Sequence, residues 1–259
     1  MKITLIPSAV SGRDRKHTQF LSSYLVNDAV CIDAGSIGLF GSPREQARVR
    51  HILISHTHID HLATLPIFLE NAFEGNSAPV TIHGTEVVLD CLRRDLFNDR
   101  LWPDFVALSG GNTKFLQLQT LEPGRTVTLE NLRITPVPVN HVVPTVGFIV
   151  EDDRAAVIIA SDTGPTESLW ERANQTPHLK AVFLEVTFPD GMAWLADAAR
   201  HLTPATFAAE VQKLRPLKKP PTILAVHLKP RFRQQILKEL RALHVPRLKI
   251  ARFGRVYQF

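Results

Sequence analysis

The sequence has few cysteines and lacks a long apolar stretch. The two cysteines, Cys31 and Cys91, cannot build a disulfide framework, and both lie among apolar residues typical of a protein core. Such sparse cysteine usage fits a reducing compartment. No segment approaches the roughly 20 consecutive apolar residues of a membrane-spanning helix, and no cleavable signal peptide follows Met1. We therefore expect a cytoplasmic protein that does not bind membranes.

The composition is that of a folded domain. Hydrophobic residues make up 44% of the chain and charged residues 21%, which argues against disorder. A chain of 259 residues can form one large domain or two small ones. The one linker-like stretch, residues 218–221, lies between a predicted helix and a predicted strand. We predict a single domain over residues 1–259.

Positive charge is concentrated in the last third of the chain. The formal net charge is +5, and basic residues cluster in residues 213–219 and 229–255. A basic run is usually a solvated face, although a nucleic-acid contact surface has the same composition. The charge is compatible with an anionic substrate but does not establish nucleic-acid binding.

Short apolar runs predict strands in two groups, with helices distributed through both. This arrangement favours two packed mixed sheets with helices outside, an αββα sandwich, over strictly alternating βα units. Strands are expected at residues 2–7, 23–26, 30–33, 51–55, 80–83, 115–118, 126–129, 132–139, 146–150, 155–160, 182–186, 222–226 and 248–251. Helices are expected at residues 43–50, 62–72, 85–97, 204–214 and 231–243, and residues 101–112 have loop character.

Four potential metal ligands, His56, His58, Asp60 and His61, follow directly after a predicted buried strand. A loop held at one end by that strand can direct the first two side chains to one point and the last two to a neighbouring point. Imidazole and carboxylate ligands suit zinc, iron or manganese, and the lack of thiolates argues against a closed structural zinc site. The segment therefore predicts a metal site with open coordination positions.

The pattern His-x-His-x-Asp-His at residues 56–61 resembles the motif of the metallo-β-lactamase superfamily. The resemblance implies an αββα fold and two divalent metals, expected to be zinc, with manganese or iron as alternatives. It also implies that later loops supply further ligands, each after a strand. By this resemblance His56, His58 and His141 hold one metal, Asp60, His61 and His227 hold the second, and Asp162 bridges them.

The other histidines and one aspartate also receive predictions. Asp33 matches a family position whose expected role is to support the metal ligands. His17, His51, His178 and His244 are expected to be ordinary histidines, whereas His83 can belong either to the site or to the scaffold.

Glu185 and His201 resemble paired motifs of two phosphodiesterase branches of the superfamily. These branches are the transfer-RNA 3′-processing endonucleases and the class II cyclic-nucleotide phosphodiesterases. The resemblance implies that Glu185 orients His201, which protonates the leaving oxygen or binds the phosphate, and that Asp60 also orients the attacking water. Otherwise Glu185 is a charge at a strand end and His201 is a surface residue.

Chain spacing favours the cyclic-nucleotide branch. Residues 142–161, between two predicted ligands, suffice for a pair of strands but not for the protruding arm typical of the transfer-RNA enzymes. Segments 60–66, 101–105, 186–190, 201–204 and 227–230 resemble the class II phosphodiesterases. Two mild departures are Thr64, where the family motif usually has a small residue, and Ile59, where it usually has leucine. The expected reaction is hydrolysis of 3′,5′-cyclic nucleotides to 5′-nucleotides. An RNA phosphodiesterase, or a lactam or thioester hydrolase, is the alternative.

The expected partners follow from this reaction. The substrate is a small anionic phosphodiester, nucleic acid is not favoured, and a homodimer is expected by family analogy. Trp102, Phe105 and Phe73 are candidates for stacking on the base, or else core aromatics. Lys229 either offers charge to the phosphate or is solvated.

Overall fold

Two mixed sheets pack face to face at the centre of the protein. The computed structural model describes residues 1–8, 18–73, 78–111 and 114–259, so His17 lies outside the described residues. The strands are β1 (Lys2–Leu5), β2 (Tyr24–Val26), β3 (Val30–Ile32), β4 (His51–Leu53), β5 (Val80–Gly84), β6 (Leu116–Thr120), β7 (Val127–Leu129), β8 (Leu132–Val139), β9 (Thr145–Glu151), β10 (Ala156–Ile159), β11 (Leu179–Glu185), β12 (Thr222–Val226), β13 (Leu248–Ile250) and β14 (Val256–Gln258). The first sheet has the order β14-β1-β2-β3-β4-β5-β6, and the second has the order β13-β12-β11-β10-β9-β8-β7.

Helices cover the outer face of each sheet. They are α1 (Pro43–Gln46), α2 (Ile59–Leu62), α3 (Leu65–Ala72), α4 (Glu86–Cys91), α5 (Phe105–Leu108), α6 (Ser168–Ala173), α7 (Ala193–Ala199), α8 (Pro204–Gln212) and α9 (Arg233–Ala242). One buried apolar cluster lies between the sheets, and two more pack the sheets against their helices. The predicted αββα sandwich is therefore confirmed.

Strand direction brings the expected ligands to one end of the sandwich. Strands β3 to β6 are parallel, and so are β10 to β13. Strand β8 is antiparallel to β9, which is antiparallel to β10, so β8 and β10 run in the same direction. Strands that run in the same direction end at the same edge of a sheet. Segments that follow β8, β10, β11 and β12 can therefore converge.

Most predicted elements are present with shifted ends. The turn expected at Asn27 and Asp28 joins β2 to β3 in a three-residue loop, and both residues have a positive φ (48° and 60°), a backbone conformation that asparagine and aspartate tolerate. The helix expected at 43–50 begins with a capping box between Ser42 and Glu45 and already ends at Gln46. Residues 101–112 include the short helix α5, and Asn112 lies outside the described residues.

Three predictions need correction. The helix expected from Leu62 begins only at Leu65, because Asp60 and His61 occupy the separate helix α2 rather than a loop. Cys31 is buried as expected, but Cys91 is only partly buried, at the end of α4. The short elements α6, α7 and β14 were not predicted, since six, seven and three residues carry little periodicity.

Candidate metal centre

The predicted ligands converge into two adjoining groups that share one aspartate. In each group, the nitrogen or oxygen atoms that could bind a metal lie within 4.8 Å of one another. The first group is His56, His58, His141 and Asp162, and the second is Asp60, His61, Asp162 and His227. This grouping matches the sequence expectation residue by residue. Whether each side chain binds a metal stays a prediction.

The first group is a cluster of three imidazole rings. The ring centroid of His56 lies 4.7 Å from that of His58 and 5.1 Å from that of His141. His58 Nδ1 and His141 Nε2 are 3.2 Å apart, and Asp162 Oδ2 lies 3.8 Å from His56 Nε2. Three nitrogens and one carboxylate oxygen around one point are a suitable donor set for zinc.

The second group is centred on two carboxylates. His227 Nε2 lies 3.3 Å from Asp60 Oδ2 and 3.5 Å from Asp162 Oδ2. His61 Nε2 lies 3.4 Å from the same Asp162 oxygen. Asp162 Oδ2 therefore faces histidines of both groups, which is the position that a bridging ligand requires. Burial raises the pKa of Asp162, but the adjacent His227 and His61 outweigh it and hold that pKa well below its ordinary value.

Two buried nitrogens test whether a cation fits here. His56 Nε2 and His61 Nε2 are buried and have no hydrogen-bond partner among the described residues. Leaving a buried polar atom unsatisfied costs about 1–3 kcal/mol. Both nitrogens face Asp162, so a divalent cation in each group would use one of the two lone pairs together with the shared carboxylate charge. The donor chemistry of the residues present fits a pair of divalent metals.

Asp33 contacts His61, and through Ser55 His56, on the side of each ring away from the predicted metals. Its Oδ2 lies 2.6 Å from His61 Nδ1, while its Oδ1 accepts from the Ser55 amide (2.8 Å) and its Oδ2 from the Ser55 hydroxyl (3.0 Å). The Ser55 hydroxyl also lies 3.0 Å from His56 Nδ1. A carboxylate on Nδ1 leaves Nε2 of His61 free for a metal. Burial lowers the pKa of His61, but Asp162 and Asp33 outweigh it and raise that pKa well above its ordinary value.

Close backbone packing holds helix α2 in place. A Cβ at Gly35 would lie 2.0 Å from the carbonyl oxygen of Asp60, so only glycine fits there. The Thr64 hydroxyl donates to the Ala34 carbonyl and accepts from the Gly38 amide, which explains why a residue larger than the family's usual small one is accommodated. Ile59 is 68% exposed, so the change from leucine does not disturb packing.

Glu185 and His201 lie beside both ligand groups. Glu185 Oε1 lies 2.5 Å from His201 Nδ1, and Oε2 accepts from the Leu202 amide. The His201 ring is stacked on the His227 ring, with centroids 5.5 Å apart and planes 17° apart, and its centroid lies 5.0 Å from that of His141. Burial lowers the pKa of His201, but the Glu185 carboxylate outweighs it and raises that pKa above its ordinary value. Proton-transfer roles for this pair remain predictions.

Sequence reasoning missed Thr187 as a site residue. Its hydroxyl donates to Glu185 Oε2 (2.7 Å) and lies 2.9 Å from His227 Nδ1 and 3.4 Å from His201 Nδ1. Thr187 therefore connects Glu185, the carboxylate beside His201, with the predicted metal ligand His227. The available signal was its position two residues after Glu185, inside segment 186–190.

Left-handed backbone marks four positions at the site. Asp33, Ser161, Arg200 and His227 have φ values of 59°, 59°, 51° and 60°. Residues other than glycine adopt this region at a cost of roughly 1–3 kcal/mol, which the surrounding structure must offset. Ser161 and Arg200 directly precede Asp162 and His201. The sharp turn of the backbone at each position orients the side chain that follows it toward the candidate metal centre.

Of the two roles left open for Trp102, Phe105 and Phe73, the structure favours packing within the protein over stacking on a base. Phe105 is buried and stacks on Phe115, which also stacks on Phe73. Trp102 packs against the same core cluster between the first sheet and its helices. Instead, the ring of Phe188 lies 5.8 Å from that of His201.

The segment after His227 adds a cation and a second ring. Lys229 Nζ lies 3.5 Å from Asp60 Oδ2, and the ring of Phe232 lies 6.1 Å from that of Phe188. His83, which the sequence left undecided between the site and the scaffold, lies beside His51. His83 Nε2 is 3.1 Å from His51 Nδ1, so His83 pairs with His51 and not with a predicted metal ligand.

Comparison with known proteins gives a family and a fold. Residues 31–228 match the family described as the beta-lactamase superfamily domain. A Yersinia pestis protein named "Probable 3′,5′-cyclic-nucleotide phosphodiesterase" is 26% identical over 208 residues, which is 72% of this chain and 59% of that protein. A Mycobacterium bovis ribonuclease Z is 28% identical over 131 residues, which is 47% of each. The matches thus cover less than two thirds of either relative.

Structural comparison extends over nearly the whole chain. The crystal structure of unliganded yeast PDE1 superposes with a TM-score of 0.77 and 18% identity, covering 98% of this chain and 98% of that one. At this identity the likeness establishes the fold. The helices in the described part of the chain are all too short or too polar to span a membrane. Because the family match covers most of the sequence, the chain belongs to the beta-lactamase superfamily.

Proposed function

We propose that this protein is an enzyme, a phosphodiesterase with two zinc ions that hydrolyses 3′,5′-cyclic nucleotides to 5′-nucleotides. The observation that carries the proposal is the Glu185–His201 pair, which lies against His141 of one ligand group and His227 of the other. A lactam or thioester hydrolase would have no evident task for a buried acid next to both groups. The Yersinia pestis relative supports the same substrate class.

The ligand set gives each metal a defined neighbourhood. His56, His58 and His141 would hold one zinc, Asp60, His61 and His227 the other, and Asp162 both. Two divalent cations supply an activated water and stabilise charge that develops on the phosphoryl group. Asp60, which is 22% exposed at its side chain, also orients the attacking water by accepting its hydrogen bond.

His201 acts as the general acid. Glu185 on Nδ1 fixes the ring orientation and leaves Nε2 to carry a proton toward the substrate. The carboxylate also raises the pKa of His201, so that more of the imidazole is protonated near neutral pH. The proton goes to the departing 3′ oxygen as its bond to phosphorus breaks.

Lys229, Phe188 and Phe232 recognise the substrate. Lys229 Nζ lies close enough to Asp60 to contact a phosphate oxygen held at the metals. Phe188, half-buried beside His201, and its neighbour Phe232 offer ring faces to the nucleobase. Aromatic rings accept either purine, since stacking does not read the base edge.

An RNA phosphodiesterase is the second candidate, favoured by the similarity to ribonuclease Z. Against it, residues 142–161 contain only strands β9 and β10 with the short segments around them, which leaves no protruding arm.

The expected homodimer and cytoplasmic location stay predictions.

A substrate panel tests the proposal. Zinc-loaded protein is assayed with cyclic AMP, cyclic GMP, bis(p-nitrophenyl) phosphate and an unprocessed transfer RNA, beside His201→Ala with its zinc content measured. The proposal requires cyclic-nucleotide turnover that falls about 10²–10⁴-fold in the variant while zinc stays bound. Diester cleavage without cyclic-nucleotide turnover would refute the substrate, and transfer-RNA trimming would favour the second candidate.

A further inference from the structure

A cavity of about 380 Å³ lies at the edge of the sandwich, away from the predicted metal ligands. The first residues of β11 and β12, strand β13 and strand β14 form its walls; we call it the basic cleft. Lys180 and Glu185 lie near opposite ends of β11, roughly 17 Å apart at about 3.3 Å per residue. The basic cleft is therefore a separate place in the fold, at the amino ends of strands whose carboxyl ends carry the metal centre.

The charged side chains that line the basic cleft are all positive. They are Lys180, Arg247, Lys249 and Arg255, and no aspartate or glutamate side chain lines it. None of the four pairs with an aspartate or glutamate in the part of the chain that the structure describes. Like charges held near one another repel, and a bound anion would relieve that repulsion.

Strand alternation explains why the charges face this cavity. Leu248 and Ile250 pack on the apolar cluster beneath the outer helices, so Arg247 and Lys249 extend from the opposite face of β13. That face is turned toward the first sheet, where β14 forms the other wall. Arg247 has a positive φ of 56°, an uncommon conformation for arginine, at the point where the chain enters β13.

Aromatic rings form the floor of the basic cleft. Tyr257 and Phe259 lie two positions apart near β14, with ring planes 6° apart and centroids separated by 6.4 Å. Both rings contact Phe183 of the inter-sheet core edge-on, which fixes their orientation. The guanidinium of Arg255 lies 5.3 Å from the centroid of the Tyr257 ring.

Protection of sheet edges is the simplest alternative explanation. Strands β13 and β14 are the edges of their sheets, and inward-pointing charges discourage pairing with another chain. Edge protection, however, requires neither charges of a single sign nor an aromatic floor within a cavity. Nor does it require a volume that falls within the roughly 300–1,000 Å³ range of small-molecule sites.

We propose that the basic cleft binds a nucleotide, with its phosphates on the four cations and its base against the aromatic floor. The volume fits a single nucleotide rather than a longer ligand. Phosphates select arginine and lysine, and aromatic rings select the planar base, so the two lining chemistries together define this ligand class. The proposal stands whether or not the metal centre acts on cyclic nucleotides.

Amide NMR can locate the ligand. Zinc-loaded protein is titrated with adenosine diphosphate, and backbone amide resonances are followed throughout the chain. The proposal predicts saturable shifts at Lys249, Arg255 and their neighbours in β13 and β14. Shifts confined to the metal centre, or no shifts at millimolar ligand, would overturn it.

Matched variants test which residues bind. Arg247→Gln/Lys249→Gln removes two cleft charges, whereas Lys218→Gln/Lys219→Gln removes two from an exposed loop outside the basic cleft. Calorimetry is expected to show adenosine diphosphate affinity reduced about tenfold or more by the first pair and changed less than about twofold by the second. Equal loss in both pairs would show a diffuse charge effect and overturn the proposal.

The base contact has its own readout. Phe259→Leu is expected to weaken adenosine diphosphate about fivefold while leaving inorganic tripolyphosphate unchanged, because only the nucleotide can stack. Equal effects on both ligands would refute the base contact. An RNA oligonucleotide that binds more than about a hundredfold more tightly than the nucleotide, with strong salt dependence, would replace the proposal with a nucleic-acid surface.

Discussion

Glu185 Oε1 lies 2.5 Å from His201 Nδ1, although the two residues belong to different elements and lie 16 positions apart. Glu185 ends a buried strand, and His201 follows the left-handed turn at Arg200 after α7. The carboxylate also accepts hydrogen bonds from the Thr163 amide and the Thr187 hydroxyl, so its position is fixed from several sides. The ring of His201 is thereby oriented before any substrate binds.

Removing the Glu185 charge should change the pH dependence of activity. Burial alone lowers the pKa of His201, and the carboxylate raises it on balance. In Glu185→Gln the pKa should therefore fall, and the decline of kcat at high pH should begin at lower pH. We also expect kcat at neutral pH to fall about 10–100-fold. Glu171→Gln, exposed on α6, is the control; an unshifted pH profile with reduced kcat would indicate a purely structural role.

Asp33 should control metal affinity without touching a metal. Asp33→Asn weakens the hold on His61 Nδ1 and on Ser55, so zinc affinity should fall about 10–100-fold. Competition with a chromophoric chelator measures this directly. Asp28→Asn, in the hairpin turn, is expected to keep the wild-type affinity. The account of Asp33 fails if both variants hold zinc equally well.

Lys229 should affect substrate binding more than turnover. We expect Lys229→Met to raise KM for cyclic AMP about tenfold with a smaller change in kcat, because one charge-assisted contact to phosphate is lost. Lys229→Arg should retain most of the affinity. Lys238→Met, exposed on α9, serves as the matched control. A large fall in kcat with unchanged KM would instead assign Lys229 to the chemical step.

His83 should make the fold sensitive to acid. Burial, with a smaller contribution from His51, lowers the pKa of His83 to about 4, below the ordinary value of 6.5. The folded state therefore resists a proton that the unfolded chain accepts, so stability present above pH 6.5 is lost as pH falls toward 4. The loss is at most about 3 kcal/mol, at 1.36 kcal/mol per pKa unit.

Denaturation in the presence of a chelator measures this effect. His83→Gln should lose less stability than the wild type between pH 6.5 and 4, whereas His178→Gln, exposed in a turn, should follow the wild type. Identical pH slopes in all three proteins would contradict the role of His83.

Much of the candidate site could be predicted because its ligands follow strands. Four of them occupy one motif after β4, and the others follow β8, β10 and β12, so the order of apolar runs indicated where they meet. Thr187 carried only the weak signal of its place two residues after Glu185, and Phe188 and Phe232 could not be predicted to lie at the site. Their positions depend on how segment 186–190 packs against segment 227–232, which is a tertiary relationship without a periodic signal.

The helix boundaries show the same limit. Apolar spacing predicted a helix from Leu62. In the structure the helix is interrupted at Ala63 and Thr64, because the Thr64 hydroxyl forms hydrogen bonds with the backbone of Ala34 and Gly38. The basic residues of the last third were expected to form a solvated face. In the structure Arg247, Lys249 and Arg255 are exposed, as expected, and they also line the basic cleft, which the run of charge alone did not indicate.

The most direct test of the central claim is the product formed from 3′,5′-cyclic AMP by the zinc-loaded protein, followed by phosphorus NMR. Our account predicts quantitative conversion to 5′-AMP, because His201 protonates the departing 3′ oxygen, and loss of conversion when zinc is chelated. Unchanged cyclic AMP under conditions in which bis(p-nitrophenyl) phosphate is cleaved, or accumulation of 3′-AMP, would contradict it.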